Sequence, residues 1–233
     1  MSEIVDIIIP TLRRQHAFSC FDKLHNVPWP YKLHVVTTGK TWAQAINIGL
    51  KQTDKKNDVI LMDDDVFIGP TTFKSVPAHY NDADIFGFKL LFPNGEIQHA
   101  GGLVRNEEIG HIGFGEDDKG QHNRARFVCH ATTSLIYIKR HVLDVLDGMA
   151  EDIPGIQMED VDFNFRALKA GFKILCLPEA AVHIQSASKR FVEGFDEKMG
   201  LAYAEIKKRH FSDPAFVKLV QEYPKPLVEL VQA

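Results

Sequence analysis

The first part of the chain alternates strongly apolar segments with a helix-like segment, and this order limits the folds open to it. Ile4–Ile9, Leu33–Val36 and Asp58–Met62 are rich in β-branched and aliphatic residues, which predicts three buried strands. Between the second and the third, apolar residues recur at helical spacing over Trp42–Leu50. Strands that alternate with helices form parallel sheets, so we expect an α/β fold. In such sheets, ligands bind beyond the carboxyl ends of the strands.

The middle of the chain predicts a hairpin followed by a long loop. Asp84–Leu91 and Ile97–Val104 flank Asn94-Gly95, a dipeptide typical of hairpin turns. Residues 105–124 are polar and aperiodic, which predicts a loop. Further strands are then expected over Phe127–Ile138, Phe172–Leu177 and Ala181–Ile184. Helices are expected over Lys139–Leu146 and Met158–Ala170.

The C-terminal part predicts helices broken at Asp213-Pro214 and Pro224-Lys225-Pro226. We therefore expect one domain over residues 1–194 and a helical extension over residues 195–233. The extension could pack on the domain, or it could pair with a second copy to form a homodimer.

Composition and charge exclude several classes of protein. The 27 Lys and Arg residues against 31 Asp and Glu residues give a net charge of −4, so the basic excess of a bulk nucleic-acid binder is missing. No apolar run approaches the roughly 20 residues of a membrane span, and the N-terminus does not resemble a signal peptide. Cys20, Cys129 and Cys176 have apolar neighbours and no metal-ligand spacing. These features predict buried free thiols in a cytoplasmic protein with no nucleic-acid partner.

Three consecutive acids, Asp63-Asp64-Asp65, follow the third predicted strand directly. Like charges in a row repel each other, so folding does not require them. Because side chains alternate along extended backbone, we expect Asp63 and Asp65 on one side. Two carboxylates there suit a hard divalent cation whose other ligands are water and substrate phosphate. A solvated acidic turn is the alternative interpretation.

Two further acids, a histidine and a glycine-containing segment are additional candidates. Glu159 and Asp160 open a predicted helix, where they complement the helix dipole and where a carboxylate can also act as a general base. His183 is either a structural hydrogen-bonding residue or a nitrogen ligand of a cation such as Mn²⁺. The segment Gln98-His99-Ala100-Gly101-Gly102 indicates either close approach of the backbone to a ligand or a tight bend.

Together these residues resemble the motifs of family 2 glycosyltransferases with the GT-A fold, and within them the rhamnosyltransferase-like enzymes of bacterial and viral surface-glycan synthesis. The resemblance implies a Rossmann-like nucleotide-binding domain with a mixed, mainly parallel sheet flanked by helices. It covers about residues 4–190, and the expected helical tail after about residue 195 has no match in the family. The matching stretches occur in the family's order: Ile7–Thr11, Asn47–Gly49, Val59–Val66, Phe92–Gly101, Leu135–Arg140, Met158–Phe163, and His183 with Ser186 and Ser188.

The resemblance also implies which residues bind a nucleotide-diphosphate sugar. Pro10, Thr11 and Asn47 match positions that line the nucleotide pocket. Asp63 would contact the ribose or the surroundings of the metal ion, and Asp64 is a further candidate for binding the donor. The implied donor is a UDP- or dTDP-sugar.

The same resemblance implies a metal-dependent inverting reaction. Asp65 would hold Mn²⁺ or Mg²⁺, assisted by Asp63 and His183. Asp160 matches the catalytic base of the family, with Glu159 beside it. The sugar would pass to a hydroxyl group of a glycan or lipid-linked acceptor.

Two departures from the family pattern affect substrate contacts. Ile46 stands where the family commonly has an arginine, so the phosphate contacts can differ. His130-Ala131-Thr132 replaces a Thr-Gly-Ala segment near the acceptor, so acceptor choice can differ too.

Other classes of protein remain open at the level of sequence. A catalytically weak nucleotide-sugar- or glycan-binding module would keep the same metal and pocket residues without turnover. A haloacid-dehalogenase-type metal-dependent phosphatase also uses Asp-x-Asp, but after its first strand, whereas Asp63–Asp65 follow the third. A sugar-nucleotide pyrophosphorylase would carry a glycine-rich loop after the first strand, and Pro10–Arg14 contains no glycine.

Overall fold

The structure, a computed structural model, describes residues 1–11, 23–184 and 193–227. The strands are β1 Val5–Pro10, β2 Tyr31–Val36, β3 Asp58–Met62, β4 Val66–Ile68, β5 Ile85–Leu91, β6 Ile97–His99, β7 Gly102–Arg105, β8 Glu108–His111, β9 Arg126–Phe127, β10 Leu135–Ile138, β11 Ile174–His183 and β12 Lys225–Pro226. The helices are α1 Trp42–Leu50, α2 Val76–His79, α3 Arg140–Leu146, α4 Glu159–Lys169, α5 Phe195–Ile206 and α6 Pro214–Gln221. A 3₁₀ turn covers Leu24–Asn26, and a π-helical turn covers Lys207–Phe211.

Ten strands form one mixed sheet in the order β12-β9-β11-β5-β10-β3-β1-β2, with β4 also beside β11 and β6 beside β5. The five longest strands, β1, β2, β3, β5 and β11, run in the same direction. The short strand β10 lies antiparallel between β3 and β5. Helices pack against this sheet, and the prediction of a mixed, mainly parallel α/β sheet flanked by helices is confirmed.

Burial explains why the first strands could be read from the sequence. Every residue of β3 is buried, as are the first five residues of β1. A strand covered on both faces needs an uninterrupted apolar run, because neither face meets water. One apolar core covers the face that carries α1, α3 and α4. A second core on the other side contains Tyr137, Phe86 and Phe88.

Three predicted segments differ from the structure in the middle of the chain. The expected strand Ile97–Val104 is two strands, because Gly101 takes a φ of +102° and the chain then leaves the main sheet. The second of these, β7, pairs with β8, which lies inside the predicted loop 105–124. Phe127–Ile138 is likewise interrupted, with β9 and β10 separated by residues 128–134.

Near Pro178 the structure has fewer strands than predicted. The two short strands expected around Pro178 form one strand, β11, which pairs with β5 on both sides of an irregularity between Leu177 and Ala180. Proline has no N–H to donate to a ladder, so the irregularity removes Pro178 from regular pairing without ending the strand.

The C-terminal segment packs on the rest of the chain. Ile206, Phe216 and Val220 are buried in the same core as α4. Asp213 caps α6 by accepting a hydrogen bond from the backbone N–H of Ala215, so the expected break at this position is present. The described part of the segment is not only helical, because β12 pairs with β9 at the sheet edge. A domain boundary at residue 194 and a homodimer formed through this segment remain predictions.

The described cysteines agree with the sequence prediction. Cys129 and Cys176 are buried free thiols, and burial raises the pKa of each to about 12. Cys20, like Ser186 and Ser188, lies outside the described residues. Within the described ranges, the helices are all too short or too polar to cross a membrane.

Candidate active site

The acidic triplet forms a tight turn at the carboxyl end of β3 and leads directly into β4. The backbone N–H of Asp63 donates to the carbonyl of Ser134 at 2.9 Å, and that of Val66 donates to the carbonyl of Asp63 at 3.3 Å. The turn is therefore held to the segment before β10. Its position is the edge of the sheet where ligands of parallel α/β folds bind.

His183 reaches this turn from the last long strand. It ends β11 opposite Val66, and the backbone N–H of Ile184 donates to the carbonyl of Asp65 at 3.2 Å. The Nε2 atom of His183 lies 3.1 Å from Asp65 Oδ1 and 3.9 Å from Asp63 Oδ2. Ligand atoms of these three residues lie within 4.8 Å of one another, the one such group among the described His, Cys, Asp and Glu residues. The structure thus brings the three predicted metal ligands together.

Gln98 sets the orientation of the His183 ring. His183 Nδ1 lies 2.8 Å from Gln98 Oε1, and both side chains are buried. An amide oxygen can only accept, so Nδ1 donates in this contact and Nε2 is the ring nitrogen that faces the carboxylates, where it could coordinate a cation. The histidine and glycines of this segment stand out in the sequence, but nothing in the sequence indicates the role of Gln98.

The donor set fits a divalent cation. Asp65 and His183 are each 8% exposed, so both lie in a site largely shielded from water. Burial raises the pKa of Asp63 above its ordinary value, while the nearby His183 acts in the opposite direction. Two carboxylates and one imidazole nitrogen suit Mn²⁺, and the oxygen atoms also suit Mg²⁺. A cation at this point would offset the repulsion between the carboxylates.

Pro10, Thr11 and Asp64 lie together beside the three candidate metal ligands Asp63, Asp65 and His183, called the metal cluster below. Pro10 ends β1 opposite Val36, and the hydroxyl of Thr11 donates to Asp64 Oδ2 at 2.5 Å. These three predicted nucleotide-binding residues therefore share one edge of the sheet with the cluster.

Asn47 is placed differently. Its Oδ1 accepts from the backbone N–H of Met149 at 2.8 Å, and its Nδ2 donates to the carbonyl of Met149 and to Glu151. These contacts connect α1 to the segment after α3. No described hydrogen bond connects Asn47 to the acidic turn, so its contact with a nucleotide remains a prediction.

Trp42 is a site residue that the sequence reading missed. It is the first residue of α1, after the N-cap Thr41, and its Nε1 lies 3.4 Å from Asp63 Oδ1. The indole is only partly buried. In the sequence, Trp42 belongs to a series of apolar residues at helical spacing, which indicates packing alone. Its position at the start of the helix is the one signal that points to the sheet edge.

Glu159 and Asp160 form the first turn of α4, as predicted. The two preceding residues, Gln157 and Met158, both have positive φ, at +65° and +71°, which is costly for side chains other than glycine. Asp160 Oδ1 accepts from the backbone N–H of Val161 at 2.8 Å. Burial, followed by the negative charge of Asp160, raises the pKa of Glu159. The strained backbone at Gln157 and Met158 precedes the start of the helix at Glu159. The catalytic role of the two carboxylates remains a prediction.

Asn164 connects α4 to the segment that holds the acidic turn. Its Oδ1 accepts from the backbone N–H of Ala131 at 3.2 Å, and its Nδ2 donates to the carbonyls of Ala131 and Asp160 at 2.9 and 2.6 Å. Because Ser134 receives the N–H of Asp63, residues 131–134 contact both the metal cluster and the helix with Asp160.

The glycines after the hairpin serve packing within the chain. Gly101 takes a positive φ, and a Cβ atom on Gly102 would lie 2.0 Å from the His130 ring. The close backbone approach expected there is therefore an approach to His130 rather than to the cluster. Burial lowers the pKa of His130 to about 3.

Comparison with known proteins gives a structural relationship and one distant sequence relative. No protein-family model matches the chain. An uncharacterized protein of Sinorhizobium fredii, y4gI, is 26% identical over 188 residues, which cover 74% of this chain and 21% of that protein. The chain thus spans about a fifth of the length of this relative.

Solved glycosyltransferase structures share the fold. GalNAc-T7 with UDP, GalNAc and Mn²⁺ has a TM-score of 0.59 and 12% identity, over 95% of this chain and 56% of that one. Residues 1–349 of S. aureus TarS with UDP-GlcNAc give 0.54 and 15%, over 94% and 70%. A mutant Drosophila β1,4-galactosyltransferase 7 with manganese, UDP-Gal and xylobiose gives 0.52 and 13%, over 85% and 79%. The chain has the GT-A fold. Membership of family 2 and a rhamnosyltransferase-like specificity remain predictions, because identities this low support the fold alone.

Proposed function

We propose that this chain is a metal-dependent glycosyltransferase that moves a sugar from a nucleoside diphosphate to a hydroxyl group, with inversion. The observation that carries the proposal is the convergence of Asp63, Asp65 and His183 at the carboxyl edge of a GT-A sheet. Structures with this fold include complexes with UDP, UDP-sugars and manganese. A shared fold and a fitting donor set together support the same chemistry here.

On the donor side, Asp65, Asp63 and His183 would hold Mn²⁺ or Mg²⁺. When bound, the cation stabilises the negative charge that the departing nucleoside diphosphate gains. Thr11 and Asp64, which share a hydrogen bond, would bind and orient the nucleotide. The buried Gln98 keeps the His183 ring in one orientation, so that little reorganisation is needed on binding.

On the acceptor side, Asp160 would act as general base. As the acceptor oxygen forms its bond to C1 of the sugar, its proton passes to the Asp160 carboxylate, and the bond from C1 to the diphosphate oxygen breaks. Attack on the face opposite the leaving group inverts C1. Glu159 is the neighbouring carboxylate, and its raised pKa makes it the second candidate for this role.

The decisive experiment measures nucleotide-sugar binding and turnover with and without the metal ion. A panel of UDP-, dTDP- and GDP-sugars is screened by thermal shift with Mn²⁺, where a ligand at 100 times its Kd adds about 2.7 kcal/mol of stability. Release of nucleoside diphosphate then reports transfer or hydrolysis. We expect both signals to disappear in excess chelator and in Asp65→Ala.

A matched control is Asp144→Ala, which removes an exposed carboxylate from α3. This variant should behave as the wild type. Full activity in chelator would contradict the proposal. Metal-dependent binding without any release of nucleoside diphosphate would favour a binding module instead.

A further inference from the structure

Phe114 is the most exposed aromatic side chain among the described residues, at 62%. Single exposed apolar residues are ordinary at protein surfaces, so the contacts and the position of Phe114 matter more than its exposure. Phe114 also packs edge-to-face on Phe92, with ring centroids 5.8 Å apart. The two rings form an aromatic pair in which Phe114 is largely exposed to solvent.

The backbone around Phe114 holds it in place. Gly113 and Gly115 flank it with φ of +75° and +77°, a conformation that glycine adopts without strain. The N–H of Gly115 donates to the carbonyl of Ile97, and the N–H of Ile97 donates to the carbonyl of Glu116, both at 2.8 Å. An exposed ring on a turn fixed in this way is already ordered before any ligand arrives, which lowers the entropic cost of binding.

The aromatic pair lies next to the candidate active site. Ile97, which holds the turn, precedes Gln98, the residue that orients His183. Phe92 follows Leu91, which is the register partner of Val182, the residue before His183. The pair is therefore at the same edge of the sheet as the metal cluster, within one strand of His183.

Polar side chains share the loop that carries Phe114. His111 is exposed, and its ring centroid lies 6.3 Å from that of Phe114. Glu116, Asp117 and Gln121 are exposed on the same loop, and Gln121 Nε2 donates to Glu116 Oε2 at 3.1 Å. A lipid would need a wide apolar surface, which this loop does not offer. A sugar ring matches it, because one face carries C–H bonds that suit the negative face of an aromatic ring and the edges carry hydroxyls.

We propose that Phe114, supported by Phe92, is a platform that binds a sugar ring of the acceptor glycan. The proposal rests on the proposed glycosyltransferase function and adds the class of acceptor and the residues that position it. Phe114 would act by positioning the acceptor, without taking part in the chemistry.

The test measures saccharide binding in the absence of metal ion and nucleotide. Saturation-transfer NMR is recorded in chelator with a panel of methyl glycosides of hexoses, pentoses and 6-deoxyhexoses. We expect the wild type to bind at least one glycoside through the C–H face of its ring. Phe114→Ala should weaken that binding about tenfold, as expected for loss of one aromatic contact plus its buried area, whereas Phe114→Trp should retain it.

The matched control is Val145→Ala, which shortens a side chain that is also 62% exposed but lies on α3. It should bind like the wild type. The proposal is wrong if Phe114→Ala and the wild type bind the glycosides equally well. It is also wrong if the wild type binds no glycoside. Because this assay contains neither metal nor nucleotide, its failure leaves metal-dependent nucleotide-sugar binding as a separate result.

Discussion

The buried carboxylate of Asp162 connects helix α4 to the C-terminal segment, and its removal tests whether this segment is part of the folded unit. Asp162 Oδ1 lies 2.9 Å from His210 Nε2, and Oδ2 accepts from Arg166 Nε at 2.7 Å. Arg166 also donates to the carbonyls of Leu146 and Gly148 at the end of α3. The carboxylate therefore joins α4 to the π-helical turn directly, and to the end of α3 through Arg166.

The magnitude follows from the burial of the group. The side chains of Asp162 and His210 are 2% and 4% exposed. The charged partner of Asp162 is Arg166, and removing one partner of a buried ion pair costs about 3–5 kcal/mol, because the remaining groups stay desolvated without their partner. Asp162→Asn should therefore lose about 3–5 kcal/mol of unfolding free energy, or roughly 6–20 °C in Tm for a chain of this size. Urea denaturation followed by circular dichroism measures it.

The pH dependence has a definite sign. Burial alone would raise the pKa of Asp162, but the hydrogen bonds from His210 and Arg166 outweigh it, so the pKa lies below its ordinary value. A group with a lowered pKa in the folded state stabilises above its unfolded pKa, about 3.9 for aspartate. That contribution is lost as the pH falls through the lower folded pKa. The stability difference between wild type and Asp162→Asn should thus narrow below about pH 4.

The control is Asp117→Asn, in which the carboxylate is 72% exposed and 3.4 Å from Lys119. Exposed pairs of this kind contribute at most about 1 kcal/mol. The reasoning is refuted if Asp162→Asn unfolds at the wild-type urea concentration, or if its deficit at pH 3 equals that at pH 7.

Two further predictions concern the chemistry of the site. Gln98→Leu should weaken Mn²⁺ binding about 10–100-fold, because the ring of His183 loses the acceptor that orients it; calorimetry measures this, and the exposed Gln121→Leu should not change it. Asp160→Asn should keep the nucleotide-sugar Kd and lower kcat about 10²–10⁴-fold, the usual contribution of a positioned base, whereas Glu159→Gln should lower it less. A larger loss in Glu159→Gln would assign the base to Glu159.

The elements that could be predicted from sequence are those whose pattern is local. β3 and α1 have the bounds that their apolar runs indicate, and α4 differs by one residue at each end. The segments that were misjudged depend on partners distant in sequence. β8 is polar and exists because it pairs with β7, and β11 continues past Pro178 because β5 supplies partners on both sides. No window of the sequence contains this information.

The same distinction applies to the site. Asp63 and Asp65 could be predicted because the strand end before them is visible in ten residues. The alternation rule assumes extended backbone, whereas a turn over Asp63–Val66 brings the two carboxylates to His183. Gln98 could not, because its partner His183 lies 85 residues later and the contact depends on how β6 and β11 flank β5. Asn47 shows the opposite case, since its match to a family motif is local while its amide contacts Met149 across 102 residues.

The spacing between the metal cluster and Asp160 depends on residues 131–134, and Asn164 is the residue through which this can be tested. Asn164→Asp keeps the shape but replaces the Nδ2 donor with an oxygen facing the carbonyls of Ala131 and Asp160. The Asp160 carbonyl keeps its backbone donor in the helix, but the buried carbonyl of Ala131 loses its donor, which costs about 1–3 kcal/mol of unfolding free energy. The exposed Asn94→Asp is the control and should lose far less.

The functional effect of Asn164→Asp should separate the two halves of the site. The acidic turn keeps its own backbone bond to Ser134, so Mn²⁺ affinity should stay near the wild-type value. Asp160 loses the contact that fixes the first turn of α4, so kcat should fall, since small displacements of a catalytic group are costly in rate. The measurements are made well below the Tm of the variant, with the folded fraction verified by circular dichroism. A parallel loss of Mn²⁺ affinity and kcat would mean that the cluster and the helix move as one body, and that residues 131–134 do not set the distance between them.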